Sequence, residues 1–408
     1  MYIDPGTGSM LFTILLGILG AGIYALKNLI MKIRFMISSG GQEKQNENHL
    51  PFVIFADDKR YWNIFGPICD EFEKRKQKLT YMTASADDPA LKSEYEYVDC
   101  KFIGEGNRAF AKLNMLDADV VLSTTPGLDV YQWKRSKSVK WYAHVLHAAN
   151  DTTAYRMFGL DYYDAILLSG EYQIEQQREL ERLRNLPAKE LPIVGLTYMD
   201  ELHKRCQKTA CVQSETRTVL LAPSWGINSI FNRYGTKLID ALIETGYHII
   251  IRPHPQSFTS EKDLLDDLMS KYPNSDQLEW NSDNDNFDVL NRSDILISDF
   301  SGVIFDFSLV FDKPILYTDT EYDKAPYDAC WLEDEMWTFK ILHKIGQKIT
   351  EENIVNIKSL IDECMDDTKF YEARNEAREQ TWQHMDEATV RTVDYMIQKQ
   401  KELCGSKN

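Results

Sequence analysis

The sequence is short of positive charge: 46 lysines and arginines face 63 aspartates and glutamates in 408 residues, a formal net charge of -17. A protein that coats nucleic acid needs the reverse balance, because its affinity rests on neutralising phosphates. Any phosphate site must therefore be local, and no nucleic-acid partner is expected. Cysteine is also sparse, with seven residues at 69, 100, 206, 211, 330, 364 and 404 and no C-x-x-C pair. That pattern argues against both a disulfide framework and a structural metal, and for reduced thiols in a cytosolic compartment. No Walker lysine loop and no G-x-S-x-G elbow is present. Asp283 and Asp285 in "NSDNDNFD" share a D-x-D spacing, but the glycine and terminal glutamate of a calcium loop are missing. A solvated loop is expected there. Neither an internal repeat nor a low-complexity tract is found.

What is present begins with "MLFTILLGILGAGIYAL", Met10 to Leu26, a 17-residue uncharged run. It is at the short end for crossing a hydrocarbon core, and "NLIM" beyond a snorkelling Lys27 lengthens it. Basic residues follow the run (Lys27, Lys32, Arg34) and none precedes it, the reverse of a secretory signal peptide. The expectation is a single-pass membrane anchor over residues 1–35, with everything after Lys27 on the cytoplasmic side. A polar linker over 36–50 comes next, including "SSGGQEKQNENHL".

Beyond the linker, short apolar runs alternate with helical patterns. Strands are expected at 52–56, 79–84, 97–104, 119–124, 139–146, 164–169 and 191–195. After a charged stretch the pattern restarts, with strands at 218–225, 248–253, 294–299 and 313–319 and helices near 230–244, 261–270 and 302–310. This is the β/α alternation of a doubly wound parallel sheet, met twice. It predicts an α/β protein with two Rossmann-like domains, over 51–205 and 206–375, and a helix over 376–408 packing back across them.

The most informative segment is "IIIRPHPQ", Ile249 to Gln256. Three consecutive isoleucines suit a strand buried on both faces, and Pro253 and Pro255 end it. In open α/β sheets ligands sit at the carboxyl ends of strands, so Arg252 and His254 are placed to hold an anion. "LLAPSWG" puts Ser224 in an equivalent strand-to-helix loop. "ISDFSGVIFDFSLVF" does so again with Ser301 and Gly302 at a helix mouth. Ser301 reads either as an N-cap or as part of a phosphate site built on backbone N–H groups, and both can hold at once. Asp306, on that helix, is either a structural carboxylate or an acceptor for a ribose hydroxyl. Asp299 is expected to brace the loop. In "WYAHVLHAAND", His144 and His147 lie three apart at a strand end, so one is expected buried and the other presented to a cleft as a general base.

Taken together, "HVLHAANDTTAYRMFGLDYYDAILLSG", "LPIVGLTYMDEL", "LLAPSWG", "IIIRPHPQ" and "ISDFSGVIFDFSLVFDKPILY" resemble the CDP-glycerol glycerophosphotransferase family over roughly residues 140 to 320. The resemblance implies a GT-B architecture with the active site between two Rossmann-like domains. It implies metal-independent transfer of glycerol phosphate from CDP-glycerol to a lipid-linked acceptor at the inner leaflet, in teichoic-acid-type polymer synthesis, with no cofactor. His147 falls on the family's base for the acceptor hydroxyl, with His144 as the fallback. His254 and Arg252 fall on the residues facing the donor pyrophosphate, and Ser301 on the serine of the last motif. The chain departs from the family at Ala148-Ala149, where members commonly carry HGTP or a serine, and at Gly302, where a second serine is frequent. Related expectations are a CDP-ribitol donor, a nucleotide-sugar glycosyltransferase on the same scaffold, or a membrane-tethered nucleotide-binding scaffold without activity.

Overall fold

The apolar runs are too uniformly hydrophobic for one-sided burial, and they become the inner strands of two parallel sheets. The computed structural model describes residues 49–209, 216–366 and 368–405. The first sheet contains β1 (Leu50–Ala56), β2 (Leu79–Thr83), β3 (Val98–Phe102), β4 (Asp117–Ser123), β5 (Ser138–Val145) and β6 (Ala165–Leu167), in the order β3-β2-β1-β4-β5-β6. The second contains β7 (Thr218–Leu221), β8 (His248–Ile251), β9 (Leu278–Trp280), β10 (Ile295–Ser298), β11 (Ile315–Thr318) and β12 (Gly346–Ile349), in the order β12-β11-β10-β7-β8-β9. Each is the doubly wound order of a Rossmann sheet, with its topological switch at β1/β4 and β7/β10. The chain thus has an α/β, GT-B-like architecture.

Register follows burial. Val53 pairs with Val121, and Ile249 with both Val219 and Leu278, all but Leu278 at 0% exposure. The three isoleucines of β8 are fully buried. One apolar cluster is continuous from Val53 and Val121 of the first sheet to Leu220 and Leu296 of the second. Residues Leu50–Asn408 accordingly form one compact unit.

Some expectations are corrected. Residues 191–195 form no regular strand; Ile193 and Glu190 make only single bridges to the β6 region. Pro192 withholds a backbone donor there, which stops a ladder from forming. The short edge strands β9 and β12 carry polar residues (Glu279, Gln347, Lys348) and have no apolar run to announce them. The expected 302–310 helix is one α-turn, Val303–Phe305, followed by a π-turn, Asp306–Val310, that buries Asp306. The carboxyl-terminal stretch is three helices, Ile357–Asp366, Lys369–Thr381 and Ala388–Gly405. The expected anchor at 1–35 and most of the linker lie outside the described residues. Among the described residues no helix is long and apolar enough to cross a membrane.

Four carboxylates tie distant segments together. Asp200 accepts from the Trp382 indole at 2.7 Å and from the backbone of Asp386 and Ala388 at 2.9 Å each. Asp328 and Asp161 pair with Arg184 at 2.9 and 2.8 Å. Asp151, just after β5, accepts from the Trp337 and Thr338 N–H groups at 2.7 and 2.9 Å, and so caps the Trp337–Ile345 helix of the other half.

Candidate active site

The carboxyl ends of β1, β4 and β5 face those of β7, β8 and β10 across two adjoining cavities of about 420 and about 270 Å³. Tyr61, His147, Ala148, Asn150, His254, Ser301 and Gly302 line both, and so form the wall between them. The larger cavity is aromatic, with Tyr131, Tyr155, Trp225, Phe300, Tyr322 and Tyr327 on its walls, and it also contains Ser224 and Arg156. The smaller one is more polar and contains Arg60, Arg252, Asn286 and Asp306.

On the first sheet, β5 ends at Val145, so the two histidines part company. His144, still in the strand, is 0% exposed and lines neither cavity; its Nε2 lies 3.0 Å from the Tyr155 hydroxyl. Burial, then the neighbouring His147, pushes its pKa well down. His147 is two residues past the strand and reaches the cleft. Its Nδ1 is 3.2 Å from the Thr124 hydroxyl and 3.4 Å from that of Tyr155. Burial and, second, the positive charge of Arg60 lower its pKa to about 4. The ring is therefore neutral near pH 7, the form a general base needs.

On the second sheet, Pro253 and Pro255 turn the chain out of β8 and present His254. Its Nδ1 accepts the Gln256 N–H at 3.1 Å, so in the neutral ring Nε2 carries the proton and is left as a donor. Burial, then Arg60 and His147, lower its pKa to about 4. Such a ring offers an anion a neutral hydrogen bond. Arg252 lines the smaller cavity, but its guanidinium already donates to the Asn281 amide oxygen and, at 2.7 Å, to the Asp283 carbonyl.

The remaining residues sit on loops stitched by Asp299. Its carboxylate accepts from the N–H groups of Ser224 (2.8 Å), Phe300 (2.7 Å) and Ile230 (3.2 Å), and so holds the β7 and β10 loops together. Ser224 Oγ is buried without a hydrogen-bond partner. Ser301 does not act as a side-chain cap: Gly302 occupies the cap position of the short turn. A Cβ on Gly302 would lie 3.0 Å from the Ala148 Cβ and 3.2 Å from Asn150 Oδ1, so the two family departures touch one another across the cleft. Asp306 is buried, its Oδ1 has no partner, and burial alone pushes its pKa up to about 7. Asp283 and Asp285 are absorbed locally, Asp283 by Asn281 and Asp285 by Arg205. Among the described residues no cluster of three or more histidine, cysteine or acidic side chains could hold a metal.

The cleft thus gathers His147, His254, Arg252, Ser224, Ser301, Gly302 and Asp306, and leaves His144 behind it. Sequence reasoning missed Arg60, Tyr155, Arg156 and Asn286. A signal existed for Arg60: "DDKRY" follows β1 just as "RPHP" follows β8.

Two Rossmann sheets with their carboxyl edges turned on one cleft form a crevice of the kind in which nucleotide ligands bind. Residues 173–397, more than half of the chain, match the family CDP-Glycerol:Poly(glycerophosphate) glycerophosphotransferase, and the chain belongs to that family. It is a transferase of the CDP-glycerol glycerophosphotransferase type. The matched stretch contains Arg252, His254 and Ser301 and starts downstream of His147. Among solved structures, the wall teichoic acid polymerase TagF, in a CDPG soak, shares the fold at 16% identity. It covers 95% of this chain and 99% of its own, with a TM-score of 0.57. The UDP-GlcNAc 2-epimerase of Methanocaldococcus jannaschii, with UDP-GlcNAc and UDP, is 13% identical over 85% of this chain and 99% of its own, with a TM-score of 0.54. S. aureus MnaA with UDP is 13% identical over 88% and 97%, also at 0.54. No curated protein matches the chain in sequence.

Proposed function

We propose that this protein transfers glycerol phosphate, or a related polyol phosphate, from CDP-glycerol to a hydroxyl of a lipid-linked acceptor, releasing CMP, without a metal ion. The observation that carries the reading is the meeting of His147 and His254, from opposite sheets, on the wall between the two cavities. In this reading the halves on either side of residue 205 are the acceptor and nucleotide-donor domains. The amino-terminal apolar run holds them at the cytoplasmic face of the cell membrane, beside the acceptor.

Chemically, the acceptor hydroxyl attacks the β-phosphorus of the donor. Its O–H proton passes to His147, an O–P bond forms, and the bond from that phosphorus to the CMP oxygen breaks with its electrons on CMP. His254 donates a hydrogen bond to the diphosphate, and Ser301 lies beside it. Catalysis is positioning and charge stabilisation rather than covalent chemistry. The bound diphosphate also offsets the positive charge of Arg60, which raises the basicity of His147 when the donor is in place.

The test is CMP release from CDP-glycerol in the presence of EDTA with a polyol-phosphate lipid acceptor. His147→Ala and His254→Ala are each expected to lower kcat by about 10²-fold or more. Release from UDP-sugars alone, or unchanged release in both variants, refutes the reading. A panel of CDP-polyols separates glycerol from ribitol donors.

A further inference from the structure

A reacting phosphoryl group needs a cation whose guanidinium fork is free to turn to it, and Arg252 meets that need only in part. Each of its terminal nitrogens already donates once, to Asn281 and to the Asp283 carbonyl, which orients the fork and leaves three of its five N–H groups. Arg60 is different. It stands on the short turn Lys59–Tyr61 after β1, and it lines the smaller cavity together with His147, His254, Ser301 and Gly302. Its Nε is buried and donates to no acceptor. The carboxylate beside it, Asp58, is 3.7 Å from Nε, outside hydrogen-bond reach, and is turned to the Arg60 backbone N–H at 2.9 Å. The guanidinium carbon packs 5.2 Å from the centre of the Tyr61 ring, and that ring lies 5.5 Å from the ring of His147. Arg60 is thus held by stacking, beside the candidate base, with donor capacity in reserve.

We propose that Arg60 binds the phosphoryl group that is transferred, its guanidinium taking the non-bridging oxygens of the donor's β-phosphate as they cross between leaving group and acceptor. This rests on the transferase reading above and adds a residue outside the stretch matched to the family. A buried N–H without an acceptor is unfavourable, and a bound phosphate would supply the acceptor. A planar guanidinium meets two phosphate oxygens at once, which an ammonium does not. Arg60 keeps its proton throughout; its part is to hold charge that grows as the bond to CMP breaks. The electrostatics agree: after burial, Arg60 is the largest charge acting on both His147 and His254. The same cation therefore adds to burial in keeping the two imidazoles neutral, and a diphosphate would offset its charge.

The experiment compares wild type, R60M, R60K, R60A and H254A in CMP release from CDP-glycerol, with thermal melts of each. R60M is expected to lower kcat by about 10²- to 10³-fold, with a smaller change in KM, as for loss of one preorganised oxyanion donor. R60K, which keeps the charge, is expected to retain part of the activity but to stay at least about tenfold below wild type. Added guanidinium chloride, at concentrations below those that unfold the protein, is expected to restore part of the R60A rate, which a merely structural role would not allow. Wild-type turnover that is lost in H254A but within about threefold of normal in R60M overturns the assignment of Arg60 alone. If R60M fails to fold, R60K decides: a wild-type rate in R60K overturns the assignment. No turnover of any CDP-polyol by the wild-type protein overturns the transferase reading together with it.

Discussion

Replacing Asp151 with alanine tests how the cleft is held. The side chain is 0% exposed, and its carboxylate accepts from the Trp337 and Thr338 N–H groups, the Thr338 hydroxyl and the Gln176 amide. Alanine leaves those donors without an acceptor. Two are backbone groups in the first turn of the Trp337–Ile345 helix, which has no other side-chain cap. At about 1 kcal/mol for each of the three donors on Trp337 and Thr338, plus about 1 kcal/mol for an anion at a helix amino terminus, the loss comes to about 4 kcal/mol. That is a large share of the roughly 5–15 kcal/mol by which folded proteins are stable. Because Asp151 belongs to the same loop as His147 and Asn150, the variant is also expected to raise KM. Urea denaturation reads the first effect, and amide hydrogen exchange over residues 336–342 reads its location. D151N, which keeps one acceptor oxygen, is expected to lose about half as much. A D151A protein within about 1 kcal/mol of wild type, with unchanged exchange at Trp337 and Thr338, refutes the account.

Gly302→Ser drives a Cβ to 3.0 Å from Ala148 and 3.2 Å from the Asn150 amide oxygen, and is expected to cost roughly 1–3 kcal/mol by overpacking. Adding Ala148→Gly should recover at least half of it, and denaturation curves for the double variant check this. Asp306 gives a pH prediction. Its folded pKa of about 7 lies above the ordinary carboxylate value, so the protein binds its proton more tightly than the unfolded chain does. Its contribution is therefore fully present below pH 3.8 and is lost as pH rises through about 7. Asp306→Asn, always neutral, should gain on wild type by up to about 4 kcal/mol between pH 4 and pH 8, since each pKa unit is worth about 1.4 kcal/mol. A difference between the two proteins that does not change with pH sinks this claim.

Much of the fold was legible because strand burial is written locally. Runs such as "FVIFA", "VVL" and "III" are apolar without alternation, and only a strand covered on both faces accommodates them. Segments whose pairing depends on position were not legible. β12 has the sequence GQKI, which pairs with β11 at a sheet edge and needs no apolar run. The 191–195 segment is apolar yet makes only single bridges. The π-turn at Asp306–Val310 arises where the helix must bury a carboxylate, and periodicity does not encode that choice.

The site divides the same way. By itself the sequence determined that Arg252, His254, Ser224 and Ser301 stand at the carboxyl ends of parallel strands, because prolines and small residues end a buried run at defined points. It also determined that one of His144 and His147 would be hidden. Only the tertiary structure decided which one, by ending β5 at Val145 and setting Tyr155 between them. It decided too that Arg252 turns one N–H of each terminal nitrogen to Asn281 and Asp283 while Arg60, nearly two hundred residues earlier in the chain, reaches the same cavity with Nε unpaired. The physical reason is that hydrogen-bond capacity is a property of neighbours in space: a guanidinium's charge is fixed by its residue type, but what it has left to give a ligand depends on what the fold has already placed against it.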